Sequence, residues 1–248
     1  MLVHKSAIAT YYGQNEAISS DFLVRHTLKA IANSKPASFK SPIWDPKIVF
    51  KWLQENHPKM TLYDVSRRAA TIMLLTSGRR LHDLTLLSVN NDNFVNRGNS
   101  IQLWPVFGSK TDNASYRQSG WNLLKHPCEN ICPVKSLNNL IELTKDRRSD
   151  TEIHSLFITI KGATKPATKA IIGGWVKSVL REAGIDSTPG SCRPAVASLA
   201  WLENRPIEEI LAKGNWRGIS TFQKHYCREI NKAQNRASDD LFDNFSCI

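Results

Sequence analysis

The chain has 248 residues, 41% hydrophobic and 22% charged, enough for one large or two small globular domains with a full core, which excludes wholesale disorder. Thirty-three Lys+Arg against twenty-two Asp+Glu leave a net charge of +11, which points to a polyanionic partner, nucleic acid being the commonest. No apolar stretch has the length of a membrane span, residues 1–5 lead into no secretory apolar segment, and five scattered cysteines make no disulfide framework and suggest an intracellular, reducing compartment.

Residues 5–33 have apolar positions at helical spacing, with Ser20 or Asp21 as the candidate N-cap. Residues 34–46 hold three prolines and three serines, the composition of a linker or a domain entry. A helix is expected over 46–55, capped by Asp45, with Pro46 in the first turn. A second is expected over 62–76, with Val65, Ala69, Ile72, Met73 and Leu75 inward, ended by Ser77 and Gly78. A short helix over 81–87 follows. Two β-leaning runs, 100–107 and 115–124, flank the turn-rich stretch 108–114 and predict a hairpin with Lys110 at its tip. Helices follow at 134–144 and 169–183, with a short strand at 156–160 between them. Further helices are expected at 194–203, 207–212, 221–226 and 237–245. The fold class is mostly α (α+β), helical with a small antiparallel sheet inserted. Cys128 and Cys132 near His126 have the spacing of half a zinc site, but no second pair follows, so they read as thiols.

Four local features bear on chemistry. Arg80 follows a helix-breaking Ser-Gly and starts a new helix, where amides and a guanidinium can together hold an anion; a solvated arginine is the bland reading. Arg193 opens another helix after the Pro189-Gly190 turn. Trp216, Phe222 and Tyr226 punctuate a short basic segment, which a core aromatic cluster would also explain. Lys110 occupies its turn, where a solvated lysine is the default.

In this order the features resemble the tyrosine recombinase (phage-integrase-like) superfamily, over about residues 45 to 230. The family's first arginine motif, Thr-Gly-x-Arg-x-x-Glu-Leu, is matched by Ser77-Gly78-Arg79-Arg80-Leu81-His82-Asp83-Leu84. Lys110 matches the hairpin lysine, Arg193 the arginine of His-x-x-Arg, Trp216 the His/Trp position and Tyr226 the tyrosine about ten residues later. The tryptophan form, with Thr221-Phe222 ahead of the tyrosine, is most similar to recombinases of DIRS-type retrotransposons and their eukaryotic relatives. The resemblance implies a helical core-binding segment at 1–35, a linker at 36–44 and a catalytic domain at 45–248.

It also implies roles. Tyr226 would attack a DNA phosphodiester and form a covalent 3′-phosphotyrosine. Arg80 and Arg193 would clamp the non-bridging oxygens with forked hydrogen bonds, and Trp216 would add one indole N–H. Lys110 would protonate the departing 5′ oxygen, and Asp83 would orient Arg80. No cofactor or metal is implied, because the guanidiniums neutralise the charge. The partner is double-stranded DNA, with a homotetramer on DNA joined through residues 237–248, and the nucleus is the expected compartment in a eukaryote. One position departs from the pattern: the His or Lys three residues before the second arginine is Gly190, and Pro194 follows that arginine. Glycine can neither donate nor shuttle a proton, which keeps open a decayed or domesticated DNA-binding module of the same fold. An RNA-binding protein with an unrelated helical fold is the other alternative; it predicts aromatics exposed on strands for base stacking.

Overall fold

The computed structural model describes residues 21–34 and 41–231; the expected helix at 237–245 lies outside them. The chain divides into two compact units, residues 1–40 and 41–248. In the first, α1 (Phe22–Asn33) is capped by Asp21, whose carboxylate accepts from the Val24 N–H at 2.9 Å.

The second unit is built around one buried helix. α2 (Pro46–Glu55) starts where Asp45 accepts from the Lys47 N–H, with Pro46 in the first turn where no amide is needed. α3 (Leu62–Ser77) is buried on nearly every side, from Val65 through Leu75, which places it at the centre rather than at the surface. Around it pack α4 (Pro133–Arg148), α5 (Lys169–Glu182) and α6 (Cys192–Leu202). The thiol of Cys132 caps α4, accepting from the N–H groups of Lys135 and His126. Cys132 thus has a structural task, and the described residues hold no His/Cys/Asp/Glu group able to bind a metal. No described helix is long and apolar enough to cross a membrane.

Two small sheets flank the helices. β2 (Phe94–Asn96), β3 (Ser100–Leu103) and β4 (Trp121–Leu124) form an antiparallel sheet in that order, with Leu103 opposite both Phe94 and Trp121. β1 (Ile43–Trp44) and β5 (Ile230–Asn231) pair in parallel, so the chain just beyond Tyr226 returns to the entry of the unit. Two short helices complete the fold, α7 (Ile207–Gly214) and α8 (Ile219–His225). They close a second apolar cluster of Ala197, Ile210, Trp216 and Phe222, against which Tyr226 packs.

Three expectations need correction. The β-leaning runs are longer than the strands they form. The β3 ladder stops short of Pro105, which has no N–H to give it. Residues 104–120 therefore leave the sheet as a long arm instead of a tight hairpin tip. The expected strand at 156–160 does not form: the run makes a single bridge, Ile158 with Pro166, next to that of Ser155 with Ser88 just before it, and the Arg148 guanidinium takes up the Leu156 carbonyl at 3.0 Å. The segment 81–87 is a 3₁₀ turn over Leu81–Leu86, not an α-helix.

Candidate active site

Two helix ends meet at Arg193. Gly78 ends α3 in the left-handed conformation (φ 63°), which glycine adopts without a Cβ penalty. Gly214 ends α7. Arg193 sits in the first turn of α6 and is 4% exposed; its Nη1 donates to the carbonyls of Gly78 at 2.8 Å and Gly214 at 2.6 Å. Carbonyls at helix C-termini carry the negative end of the dipole and are suited to a buried cation. The remaining guanidinium nitrogens, Nε and Nη2, are buried and have no hydrogen-bond partner among the described residues.

The same site holds Trp216 and Tyr226. The Arg193 guanidinium lies 3.9 Å from the Trp216 ring centroid and 4.9 Å from that of Tyr226, and the two rings meet edge to face at 5.0 Å. Trp216 is 8% exposed, and its Nε1 is also buried without a partner. Its ring lies over Gly214, where a Cβ would fall inside the indole. Tyr226 follows the last turn of α8 and is half-buried; its carbonyl accepts from the hydroxyl of Ser198 on α6 at 3.0 Å, and that hydroxyl in turn accepts from the Arg228 N–H. Ser198 thus ties the tyrosine to the helix that carries Arg193.

Arg80 supplies the second guanidinium. It precedes the 3₁₀ turn, and its Nη1 is buried and without a partner. Burial first, and the nearby Arg80 charge second, lower the pKa of Arg193 to about 10, with the Tyr226 hydroxyl and Asp83 opposing the fall. The hydroxyl is close enough to act on the guanidinium but takes neither Nε nor Nη2 in a well-formed hydrogen bond. Arg193 stays charged at neutral pH. Asp83 is fully buried: Oδ2 accepts from the Arg80 N–H at 3.1 Å and Oδ1 from the Ser109 hydroxyl at 3.0 Å. It therefore joins the start of the turn to the arm.

Lys110 is exposed in that arm and makes no hydrogen bond or ion pair with the described residues. Its turn is closed by Asp112, whose carboxylate accepts from the N–H groups of Gly108, Ser109 and Gln118. Burial raises the pKa of Asp112, but these three amides and Arg117 outweigh it and hold the carboxyl below its ordinary value.

The sequence-derived set thus divides. Arg193, Trp216 and Tyr226 are in contact, Arg80 is within electrostatic reach, and Asp83 links Arg80 to the neighbour of Lys110. Gly190 stands apart, exposed in the 3₁₀ turn Pro189–Ser191. It lines a separate cleft of about 530 Å³ with Trp44, Ser187, Ser191 and Arg228. Its φ is not positive, and a Cβ would meet only the Thr188 hydroxyl, at 4.0 Å.

Arg79 was missed by sequence reasoning, which had no local signal to separate it from Arg80. It is 3% exposed and holds the Lys213 carbonyl at 2.7 Å, the Ser119 carbonyl at 3.1 Å and hydroxyl at 2.7 Å, and the Gly120 carbonyl at 3.2 Å. Burial lowers its pKa to about 10. It fastens the end of α7 to the base of the arm.

No protein-family model and no curated protein matches the chain. Solved structures do. XerA recombinase aligns over 100% of this chain and 82% of its own, with a TM-score of 0.53 and 18% identity. The Tn1549 transposon integrase in complex with transposon right-end DNA aligns over 89% of this chain and 71% of its own, with a TM-score of 0.55 and 12% identity. XerH site-specific recombinase in a pre-cleavage complex with its difH substrate aligns over 75% and 50%, with a TM-score of 0.54 and 12% identity. At such identities what is shared is the arrangement of the backbone, and the fold that carries this cluster is the tyrosine recombinase catalytic-domain fold.

Proposed function

We propose that the protein is a site-specific DNA recombinase or integrase that cuts and rejoins strands through a covalent 3′-phosphotyrosine. One observation carries the reading: Arg80, Arg193 and Trp216 bring buried N–H donors that no group among the described residues satisfies to the neighbourhood of the Tyr226 phenol. Leaving buried donors unpaired costs on the order of 1–3 kcal/mol each, more for charged groups. A phosphate, with its non-bridging oxygens, is the chemistry that satisfies them. The net charge of +11 and the DNA held by XerH and the Tn1549 integrase support nucleic acid as the source of that phosphate.

The step balances without a cofactor. The Tyr226 oxygen bonds to phosphorus as its proton leaves to solvent, the P–O5′ bond breaks, and the 5′ oxygen takes a proton from Lys110. A 5′ hydroxyl from another strand then attacks the phosphotyrosine, expels Tyr226 and rejoins the backbone. The bond energy is kept in the intermediate, so no external energy source enters. Arg80 and Arg193 clamp the developing charge, Trp216 adds its indole N–H, and Asp83 holds Arg80 at the start of its turn. Preorganised donors of this kind are commonly worth about 10²–10³ in rate each.

The finer assignments belong to the same proposal: a recombinase of the DIRS retrotransposon kind, working on double-stranded DNA in the nucleus of a eukaryotic host. It would act as a homotetramer joined through residues 237–248, which lie outside the described residues. Gly190 favours a second reading, a DNA-binding module that no longer cuts. A duplex nicked beside the cleavage site separates the two, because the released fragment diffuses away and traps the adduct. A covalent protein–DNA species that Tyr226→Phe abolishes supports the recombinase; DNA binding with no adduct supports the module.

A further inference from the structure

The arm that bears Lys110 is fastened on both sides of that lysine. Ser109 donates to Asp83, on the Arg80 side of the site. Thr111 is held from the Trp216 side: the Asn215 Nδ2 donates to its hydroxyl at 3.4 Å, and the Arg217 Nη2 donates to its carbonyl at 2.7 Å. Asn215 also receives the rest of the arm. Its Oδ1 accepts from the Tyr116 hydroxyl at 3.0 Å and from the Ser119 N–H at 3.3 Å. The Arg217 guanidinium lies 4.1 Å from the Tyr116 ring centroid. Asn215 is 4% exposed and sits in the left-handed region (φ 55°), where asparagine is tolerated and most side chains are strained.

We infer that Asn215 and Arg217 are positioning residues that latch the Lys110 arm to the Trp216 turn, so that the proton donor and the phosphate-holding groups move as one body. The role of Lys110 in this inference rests on the strand-cutting reading above. Trp216 lies between the two latch residues in the chain, so a shift of the turn is passed to both its neighbours and through them to the arm. Lys110 is the one lysine of residues 104–120, and among the described residues no hydrogen bond or ion pair fixes its side chain. Its reach to the leaving oxygen is therefore set by the backbone on either side. Proton transfer needs heavy atoms at about 2.6–3.2 Å, and a misplacement of about 1 Å can cost on the order of 10²-fold in rate.

Two variants test the latch. Asn215→Gly keeps the left-handed backbone and removes the side chain; Arg217→Ala removes an exposed guanidinium that the core does not need. Each is assayed on a nicked duplex with the ordinary phosphodiester, and on the same duplex with sulfur in place of the bridging 5′ oxygen. A thiolate leaves without being protonated, so the second substrate does not need Lys110. The expected result is adduct formation about 10- to 100-fold slower than wild type on the oxygen substrate and close to wild type on the sulfur substrate. Equal slowing on both substrates, or no slowing on the oxygen substrate, overturns the assignment. If the wild-type protein is inert on both, the strand-cutting reading fails by itself, and the latch is judged from amide exchange over residues 108–119. Faster exchange in the variants supports the latch, and unchanged exchange overturns it.

Discussion

Arg193 and Lys110 are held in opposite ways. Arg193 is buried, gripped through one nitrogen by the carbonyls at the ends of two helices and covered by two aromatic rings. Its position is set by the core and costs no ordering when a ligand arrives. Lys110 is exposed, its ammonium pairs with none of the described residues, and it is steadied through the backbone around it, by Ser109, Thr111 and the Asp112 turn. The difference matches the tasks proposed for them. A phosphate clamp must be in place before binding, because donors that reorganise during the reaction lose much of their effect. A proton donor must approach an oxygen whose position changes as the bond breaks, and a mobile stem on an anchored backbone permits that. The cluster is prepared by folding, and the arm by a few polar contacts.

The sharpest break in this comparison comes from the nucleophile. Tyr226→Phe removes one hydroxyl and leaves the ring that packs on Trp216 and Arg193. It should abolish the covalent adduct while leaving duplex affinity, measured by gel shift, within a few-fold of wild type. Adduct formation by the phenylalanine variant would assign the nucleophile elsewhere. Arg193→Ala should come next, with cleavage falling by about 10²–10³ and binding weakened as well, because a phosphate clamp serves ground state and transition state together. Arg193→Lys should not restore it: one ammonium cannot span the Gly78 and Gly214 carbonyls and still present two further donors. Full activity in the lysine variant would show that charge alone is enough.

The seat of Trp216 offers a test of the prepared side by itself. Gly214 is glycine because the indole occupies the space where a Cβ would be. Gly214→Ala should expel the ring from its place over Arg193, lower the melting temperature by the few degrees that about 1–3 kcal/mol of overpacking implies, and reduce cleavage about tenfold or more. A variant with unchanged tryptophan fluorescence and unchanged melting would show that the indole is not seated there. Salt is a broader probe. Affinity for duplex should fall steeply between about 50 and 200 mM salt as bound phosphates release counterions, and a flat response would point away from a phosphate-clamping surface.

Much of the helical frame was legible in the sequence, and the reason is local. Asp45 and Pro46 mark the start of α2 by capping chemistry alone, and the expected bounds 46–55 coincide with the observed helix. Gly78 marks the end of α3 in the same way. What escaped depends on partners distant in the chain. β1 and β5 are two residues each, too short to show a period, and they pair only because the fold brings Ile230 beside Ile43. The strand expected at 156–160 had the right composition, but tertiary bonds from Arg148 take its carbonyl. In the site, the sequence singled out Arg80, Lys110, Arg193, Trp216 and Tyr226 by their order, and the fold brings Arg193, Trp216 and Tyr226 into contact with Arg80 near them. The residues that support them, Arg79, Ser198, Gly214 and Asn215, gave no signal, because each acts through a contact made only after folding. Asn215 in a Gly-Asn-Trp run reads as a turn residue, and nothing local shows that its amide reaches across to the arm.

Gly190 gives the smallest expected change in stability and the most discriminating change in chemistry. It lies in a short 3₁₀ turn, its φ is not positive, and a Cβ would meet nothing closer than the Thr188 hydroxyl at 4.0 Å. Gly190→His should therefore fold as well as wild type, with a melting temperature within a degree or two, because an exposed substitution without backbone strain usually costs less than about 0.5 kcal/mol. A large fall in melting temperature would contradict the open geometry of this turn. With folding preserved, the cleavage rate is informative in either direction. General acid–base groups contribute about 10²–10⁴-fold when correctly placed, so a clear gain in adduct formation would show that the machinery is intact and limited by the missing imidazole. An unchanged rate in a protein that cuts would show that Lys110 and the two arginines carry the proton transfer and charge neutralisation by themselves. No adduct from either form, with duplex binding intact, would favour the module that holds DNA without cutting it. The buried, unpartnered donors of Arg80, Arg193 and Trp216 would then be a phosphate grip that no longer serves a reaction.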